Sequence, residues 1–262
     1  MEYIGYFAAI IIGLSLGLVG GGGSILTIPI LVYLFKIDPE LATSYSLFIV
    51  GITAGLGCIS HYRMGNLKIK SALYFAVPSI FAILIIREVI FPQIAETLFS
   101  IASYKVSKNF LIMIVFSILM ILASISMIRT KTIQIQGATT NYTQLAIIGF
   151  FIGIITGFLG AGGGFLIIPA LLFFAKLPMK QAVGTSLLII FINSSIGFAG
   201  DLYINTPIDY PFLLIISSIA FIGMLVGTQI SKRIDGSKLK PIFGWFILIM
   251  GLYIITKEIF LK

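Results

Sequence analysis

The stretch "GLVGGGGSILTIP", residues Gly17–Pro29, interrupts an N-terminal run that is otherwise almost wholly apolar. Four consecutive glycines, Gly20–Gly23, lie within it, and each glycine in a helix interior costs about 1 kcal/mol relative to alanine. As one helix, the run Tyr3–Phe35 would be about 50 Å long, which is too long for one membrane crossing and too short for two. We therefore predict a helical hairpin whose apex is the glycine cluster.

Composition places the whole chain in a bilayer, because 59% of its 262 residues are hydrophobic, 10% are charged and the mean hydropathy is +1.13. The net charge of +8 lies in short gaps between apolar runs, which indicates membrane orientation rather than nucleic-acid binding. Besides the long run, six apolar segments each fit one helical crossing: Leu41–Ser60, Ser71–Pro92, Phe110–Ile128, Gln181–Ala199, Tyr210–Ser231 and Pro241–Phe260.

The glycine cluster occurs twice. A shift of 140 residues aligns Gly17, Gly20, Gly22, Gly23 and Pro29 with Gly157, Gly160, Gly162, Gly163 and Pro169, inside a second long run, Leu145–Ala175. Each proline is expected in the first turn of a restarting helix. The chain is thus predicted to contain two repeats, residues 1–130 and 145–262, joined by a cytoplasmic linker, residues 131–144.

The basic residues favour inverted repeats. If each long run is a hairpin that enters and leaves on one side, every repeat has an odd number of crossings, and eleven basic residues are cytoplasmic against six outside. If each run is one crossing, the best ratio is ten to seven. We therefore predict an all-α polytopic membrane protein of two inverted repeats, each with a hairpin and three transmembrane helices, or eight hydrophobic segments in conventional counting.

Broken helices at membrane depth must be buried in protein or line a wet cavity. A glycine cluster presents free N–H groups, and the helix that follows directs its positive dipole end to the same place, which suits an anion. The alternative is that the glycines only allow close helix packing. The predicted backbone site comprises Gly20, Gly21, Gly22, Gly23, Ser24, Gly160, Gly162, Gly163 and Gly164.

Polar side chains of the next helix are candidates to complete this site. Ser46 and Thr53 are seven residues apart and hence on one helical face, and their repeat mates Ser186 and Asn193 have the same spacing. Thr185 lies at the start of the second of these helices. Ordinary hydrogen bonding between helices is the alternative for each of them.

Ionisable residues are expected only toward the ends of the crossings. Arg87 is expected to pair with Glu88 or to reach the headgroups, with a role at the outer mouth as the alternative, and His61 is expected to be a solvated loop residue. One histidine and one cysteine provide no nucleophile–base pair or metal cluster, so we predict neither an enzyme nor a cofactor.

The paired motifs "GLVGGGGSILTIP" and "GFLGAGGGFLIIP", followed by "LATSYSL" and "QAVGTSLLIIFINSSIG", resemble the TauE/SafE sulfite exporter family of permeases, also called TSUP, the 4-toluene sulfonate uptake permease family. The likeness covers nearly the whole chain. It implies transport of sulfite, thiosulfate or organosulfonates across a bacterial cytoplasmic membrane. The first repeat departs from the pattern, since "IFAILIIREVI" replaces the glycine-spaced "GMLVGTQISKRI" and residues 91–108 form a longer gap.

The sequence therefore predicts a secondary transporter, an exporter of small anions that works by alternating access. An anion channel remains the alternative that uses the same backbone site, and a non-transporting membrane scaffold is the other. The anion and the lipid bilayer are the expected partners, and assembly into a homo-oligomer stays open.

Overall fold

The structure is a computed structural model that describes residues 2–94, 97–101, 104–129, 141–159, 163–203, 208–234 and 236–260. These residues form ten α-helices and one β-hairpin. The helices are α1 (Glu2–Val19), α2 (Gly22–Tyr33), α3 (Pro39–Arg63), α4 (Ile69–Leu84), α5 (Lys108–Arg129), α6 (Tyr142–Leu159), α7 (Gly164–Phe173), α8 (Met179–Tyr203), α9 (Tyr210–Arg233) and α10 (Gly236–Phe260).

Six helices in the described part of the chain are long and apolar enough to cross a membrane: α3, α4 with its extension to Ile90, α5, α6, α8 and α9. Five of them contain segments predicted as single crossings, and the sixth predicted crossing lies in α10. The remaining span, α6, is the first arm of the second predicted hairpin. The all-α polytopic fold is confirmed, and the chain is a multi-pass membrane protein.

The first long run is a helical hairpin. Gly5 of α1 lies against Phe35, just beyond the end of α2, and Gly23 at the start of α2 packs on Leu16 of α1. The two helices are thus antiparallel, and the run enters and leaves on one side. The second run is also divided, into α6 and α7.

The expected position of the two prolines is wrong. Because α2 begins at Gly22 and α7 begins at Gly164, Pro29 and Pro169 are the eighth and sixth residues of their helices. The glycines themselves begin each helix. A proline deeper in the helix removes one backbone hydrogen bond, a loss that buried transmembrane helices tolerate when neighbouring protein groups compensate.

The repeat is visible in the backbone. Among the described residues, Lys36 and Lys176 are the only non-glycine residues with positive φ, at 57° and 53°, and they stand 140 positions apart. The amide after each lysine donates to the carbonyl six residues back, at 3.0 and 3.2 Å. Both copies therefore make the same left-handed turn between hairpin and next helix.

The two copies are inverted. The equivalent helices α3 and α8 pack together, with Gly51 next to Ser194 and Gly57 next to Leu187. The partner number falls as the α3 number rises, so these two helices are antiparallel. Equivalent helices of the two copies therefore point in opposite directions, as the basic-residue pattern predicts.

The remaining packing follows the same symmetry. The helix α1 lies parallel to α9, with Gly13 against Ala220 and Gly17 against Thr228, and its mate α6 lies parallel to α4. The central pair, α3 and α8, is the most buried of the spans, at 67% each, whereas the other four spans are 33–47% buried. These central helices hold the interior and the outer helices face lipid.

The first copy departs from the second after α4. That helix continues as a π-helical turn (Ile85–Ile90) and a 3₁₀ turn (Phe91–Gln93), followed by antiparallel strands β1 (Thr97–Ile101) and β2 (Tyr104–Ser107). The hairpin occupies the predicted longer gap, but its strands were not predicted. The limits assigned to the two repeats stay predictions, because residues 131–140 of the predicted linker lie outside the described part.

Candidate functional site

The two helix breaks meet. A Cβ on Gly21 would collide with the backbone carbonyl of Gly164, and a Cβ on Gly164 would lie 2.7 Å from the Cα of Gly21 and 3.0 Å from Ser24 Oγ. Real Cβ atoms essentially never approach other heavy atoms within 3.0 Å. Only glycine at both positions allows the two chains to come this close.

The meeting point lies in the interior of the bundle. Gly164 also faces the side chain of Ile190, which is near the middle of the 25-residue helix α8. From this point α2 and α7 run for 12 and 10 residues to opposite ends of the bundle, or about 18 and 15 Å at 1.5 Å per residue. Together they match the roughly 30 Å hydrocarbon thickness, so their first residues lie at mid-depth.

Two glycines of the breaks have left-handed backbone. Gly20 has φ of 80° and Gly163 has φ of 66°, a region that other residues rarely adopt. A Cβ on Gly20 would lie 2.7 Å from Ser186 Oγ on α8, while one on Gly163 would collide with Thr156 Oγ1 on α6. Each glycine thus turns the chain in a space closed by a hydroxyl side chain.

The positive electrostatic potential at the meeting point comes from backbone N–H groups. Both α2 and α7 begin there without a side-chain cap, and the first N–H groups of a helix have no acceptor within the helix. Two positive dipole ends therefore approach each other. Across the described part of the chain, no group of three or more His, Cys, Asp or Glu residues is placed to hold a metal ion.

Several predicted hydroxyls bond to their own helices. Ser24 Oγ donates to the Gly21 carbonyl at 2.7 Å, Ser186 Oγ to the Val183 carbonyl at 2.8 Å, and Thr53 Oγ1 to the Ile49 carbonyl at 2.6 Å. Ser24 and Ser186 line the breaks. Buried Ser46 Oγ has no hydrogen-bond partner in the described structure.

Two other candidates make contacts outside the meeting point. Thr185 Oγ1 accepts a hydrogen bond from the Lys68 amide at 3.1 Å, and Asn193 Nδ2 donates to Ser79 Oγ on α4 at 2.8 Å. Asn193 Oδ1 is buried without a partner among described residues. Of the predicted glycines, Gly22 and Gly23 form the first turn of α2, and Gly160 and Gly162 lie outside the described residues.

A buried ion pair stands at one end of the bundle. Arg87 Nε lies 2.8 Å from Asp201 Oδ1, and the two side chains are 4% and 7% exposed. The same guanidinium donates to Thr43 Oγ1 at 3.2 Å and Ser44 Oγ at 3.4 Å. The expected pairing of Arg87 with Glu88 is therefore wrong, since the side chain turns inward, away from the headgroups.

A cavity stands at the opposite end. It measures about 490 Å³, and its polar lining comprises His61, Asn66, Lys180, Thr228, Ser231 and Lys232. His61 is 2% exposed, so the prediction of a solvated loop residue is wrong: the helix α3 continues past it to Arg63, and Gly184 of α8 packs against its Cβ.

The two ends are related by the repeat but are built differently. His61 and Asp201 are repeat mates, 140 positions apart at the ends of α3 and α8. Asp201 forms a buried ion pair with Arg87, whereas His61 lines an open cavity. Because this cavity lies at the end that carries Arg63, Lys180 and Lys232, it opens to the predicted cytoplasmic side.

Comparison with known proteins agrees with this architecture. The profile of the family described as sulfite exporter TauE/SafE matches residues 6–254. The chain belongs to this family. The resemblance carried by the paired glycine motifs is confirmed, and the chain is a membrane transporter of the TauE/SafE type.

Relatives of this TauE/SafE transporter come from several different organisms. A "Probable membrane transporter protein" of Xylella fastidiosa is 28% identical over 95% of this chain and 92% of its own length. YunE of Bacillus subtilis is 26% identical, covering 96% and 97%, and MJ0441 of Methanocaldococcus jannaschii is 25% identical, covering 94% of each chain. Both are likewise named probable membrane transporter proteins, which indicates a non-enzymatic role. No solved structure matches the chain.

Proposed function

We propose that this TauE/SafE transporter exports a small sulfur oxyanion or organosulfonate across a bacterial cytoplasmic membrane by alternating access. The observation that carries the proposal is the contact between Gly21 and Gly164, where two helix starts from opposite sides meet in the interior. Backbone N–H groups and two dipole ends converge on one place, which favours an anion over a cation or a neutral solute.

The binding residues proposed at this place are the glycines and hydroxyls of the two breaks. Backbone N–H groups come from Gly20–Gly23 and Gly163–Gly164, and hydroxyl groups come from Ser24, Ser46 and Ser186. We include Gly160 and Gly162 because the repeat aligns them with Gly20 and Gly22. The segments Gly20–Ser24 and Gly163–Gly164 contain no charged residue. Binding through dipoles alone is weaker than through a fixed charge, so the anion is released readily.

Asn193, Thr53 and Thr185 remain predicted members of the binding site, and Asn193 and Thr185 also support its wall. Asn193 links α8 to α4 through Ser79, and Thr185 links α8 to the loop before α4 through the Lys68 amide. These contacts hold α8 against the first repeat. Because α8 lines the site through Ser186 and Ile190, a shift of these contacts moves the site wall.

The asymmetry of the two ends supports alternating access. The Arg87–Asp201 pair closes one end and joins α4 to α8, while the cavity beside His61 leaves the other end open. We interpret this conformation as the state that faces the cytoplasm. Opening the end that holds the ion pair requires separation of Arg87 from Asp201. Closing the end beside His61 requires collapse of the cavity.

The test is transport by purified protein in liposomes loaded with sulfite, thiosulfate or a short-chain sulfonate. We expect saturable efflux that is accelerated by the same anion outside, because an alternating-access carrier exchanges bound substrates. Flux that rises linearly with concentration and shows no such acceleration would favour an anion channel. If efflux of all three anions is no faster than from loaded vesicles without protein, the proposed substrate class is excluded.

A further inference from the structure

The cavity beside His61 has the chemistry of a second anion site. Two ammonium groups, Lys180 and Lys232, and the imidazole of His61 line it, and no acidic residue does so in the described part of the chain. We propose that this cavity binds the transported anion before it reaches the helix breaks, with these three side chains as ligands. The inference rests on the proposed function, since it assigns an entry site to the same substrate.

His61 provides the strongest local observation. Its side chain is almost wholly buried, and neither ring nitrogen has a hydrogen-bond partner within the described structure. A buried polar group without a hydrogen-bond partner is unfavourable, so such groups in native proteins are usually satisfied by a ligand or water. An oxyanion that accepts a hydrogen bond from the ring N–H satisfies one of these two nitrogens.

The lysines supply the net charge that the helix breaks lack. Lys232 is exposed at the end of α9, and Lys180 is half-buried at the start of α8, so the pair extends from solvent into the protein. A charge at the rim raises the local concentration of anions and weakens with salt. The half-buried ammonium is screened less and forms the stronger contact.

Two residues that line the cavity also contact the end of α1, next to the first helix break. Ser231 Oγ donates to the Leu18 carbonyl at 3.1 Å, and Thr228 packs against Gly17, so two lining residues hold the end of α1. Along α8, Lys180 and Ser186 are six residues apart, or about 9 Å. An anion released by Lys180 thus moves less than two helical turns to reach Gly20.

The volume of about 490 Å³ far exceeds the share of about 30 Å³ taken by one water molecule. The cavity therefore admits a hydrated dianion or a sulfonate with a short organic tail. At the helix breaks, by contrast, Gly21 and Gly164 lie too close together to admit even a Cβ atom. We infer that the cavity accepts anions with little selection by size and that the helix breaks select among them.

The chain contains a single histidine, which makes the test direct. Full-length protein with ¹⁵N-labelled histidine and a tag free of histidine is placed in lipid nanodiscs. Thiosulfate is titrated at constant ionic strength while the imidazole resonances are followed by NMR. We expect one set of signals that shifts saturably, which reports occupation of the cavity at His61 itself.

Charge variants separate a site from general attraction. Lys180→Gln is expected to raise the apparent Kd for thiosulfate about tenfold, the value of one charge-assisted hydrogen bond, and Lys180→Arg is expected to restore most of it. Lys70→Gln is the matched control, because Lys70 is exposed and lies 4.5 Å above the Tyr142 ring. It is expected to change the Kd less than twofold.

The outcomes distinguish this site from the transport proposal. If thiosulfate crosses liposomes but leaves the His61 signals unchanged, the cavity site is refuted and the transporter stands. Equal weakening by Lys180→Gln and Lys70→Gln also refutes the site, because it shows only non-specific attraction. If the His61 signals saturate while no anion is transported, the site stands and the proposed function fails.

Discussion

Replacement of Asp201 by asparagine leaves Arg87 as a buried cation without its counter-charge. The pair is 2.8 Å apart and both side chains are less than 10% exposed, so solvent does not take over the role of the carboxylate. Loss of one partner of a buried ion pair costs about 3–5 kcal/mol. We expect Asp201→Asn to destabilise the protein by that amount.

The measurement is thermal unfolding of purified protein in detergent. At about 2–4 °C per kcal/mol for a chain of this size, the expected fall in Tm is roughly 6–20 °C. The double variant Arg87→Met with Asp201→Asn removes both charges and is expected to recover most of the loss, because a neutral pair carries no unpaired ion. The two single effects therefore do not add.

Glu88→Gln is the matched control. Glu88 is the neighbour of Arg87 in sequence and is exposed, and exposed ion pairs contribute about 0–1 kcal/mol. We expect its Tm to stay within a few degrees of the wild type. A fall as large as that of Asp201→Asn, or a double variant as unstable as the single one, contradicts the pairing described above.

Three further predictions concern the helix breaks and the topology. Gly164→Ala places a methyl group against the Gly21 backbone and is expected to abolish transport in liposomes. The control Gly200→Ala, whose Cβ would meet nothing closer than 3.5 Å, is expected to retain transport. Equal activity of the two variants means that the contact is dispensable. Asn193→Ala is expected to lower the transport rate at least tenfold and the free energy of unfolding by about 1–3 kcal/mol, the cost of one unsatisfied buried partner, and an unchanged rate contradicts its supporting part. In a cysteine-free background, Tyr203→Cys is expected to react with an impermeant maleimide on intact cells. Arg63→Cys is expected to react only after the cells are permeabilised. Labelling of both cysteines from one side refutes the inverted topology.

The hairpins and their inversion were predictable because both depend on local signals. Glycine clusters weaken a helix wherever they occur, and the length of an apolar run can be compared with the bilayer thickness. The basic residues added the direction of each crossing. That the apices touch at Gly21 and Gly164 depends on the packing of both repeats, which no local pattern contains.

The ion pair and the burial of His61 were missed for the same reason. Arg87 and Asp201 are 114 residues apart, and each lies near the end of an apolar segment, where a solvated position is the usual expectation. Two signals pointed toward them: Arg87 interrupts an apolar run, and Asp201 is the repeat mate of His61. The π-helical turn that turns Arg87 inward has no such signal.

The prolines show the limit of a capping rule. A proline after a glycine cluster is typical of a first helical turn, and the same motif appears twice here. In the structure the glycines begin both helices, because the close approach of the two breaks requires residues without side chains at the first positions. Packing between repeats decided the boundary, and the local preference of proline did not.

The repeats share one backbone plan but differ in charge at equivalent positions, since Lys180 and His61 correspond to Glu40 and Asp201. Glu40 pairs with Lys108 at 2.8 Å and Asp201 with Arg87, so charges cancel within these two pairs, whereas no acidic residue in the described part of the chain lines the cavity beside Lys180 and Lys232. A dianion is consequently held more weakly where charges cancel. For the anion export proposed above, we therefore expect faster dissociation toward the outside than toward the inside, and faster turnover in that direction, although the concentration gradient alone fixes the final equilibrium.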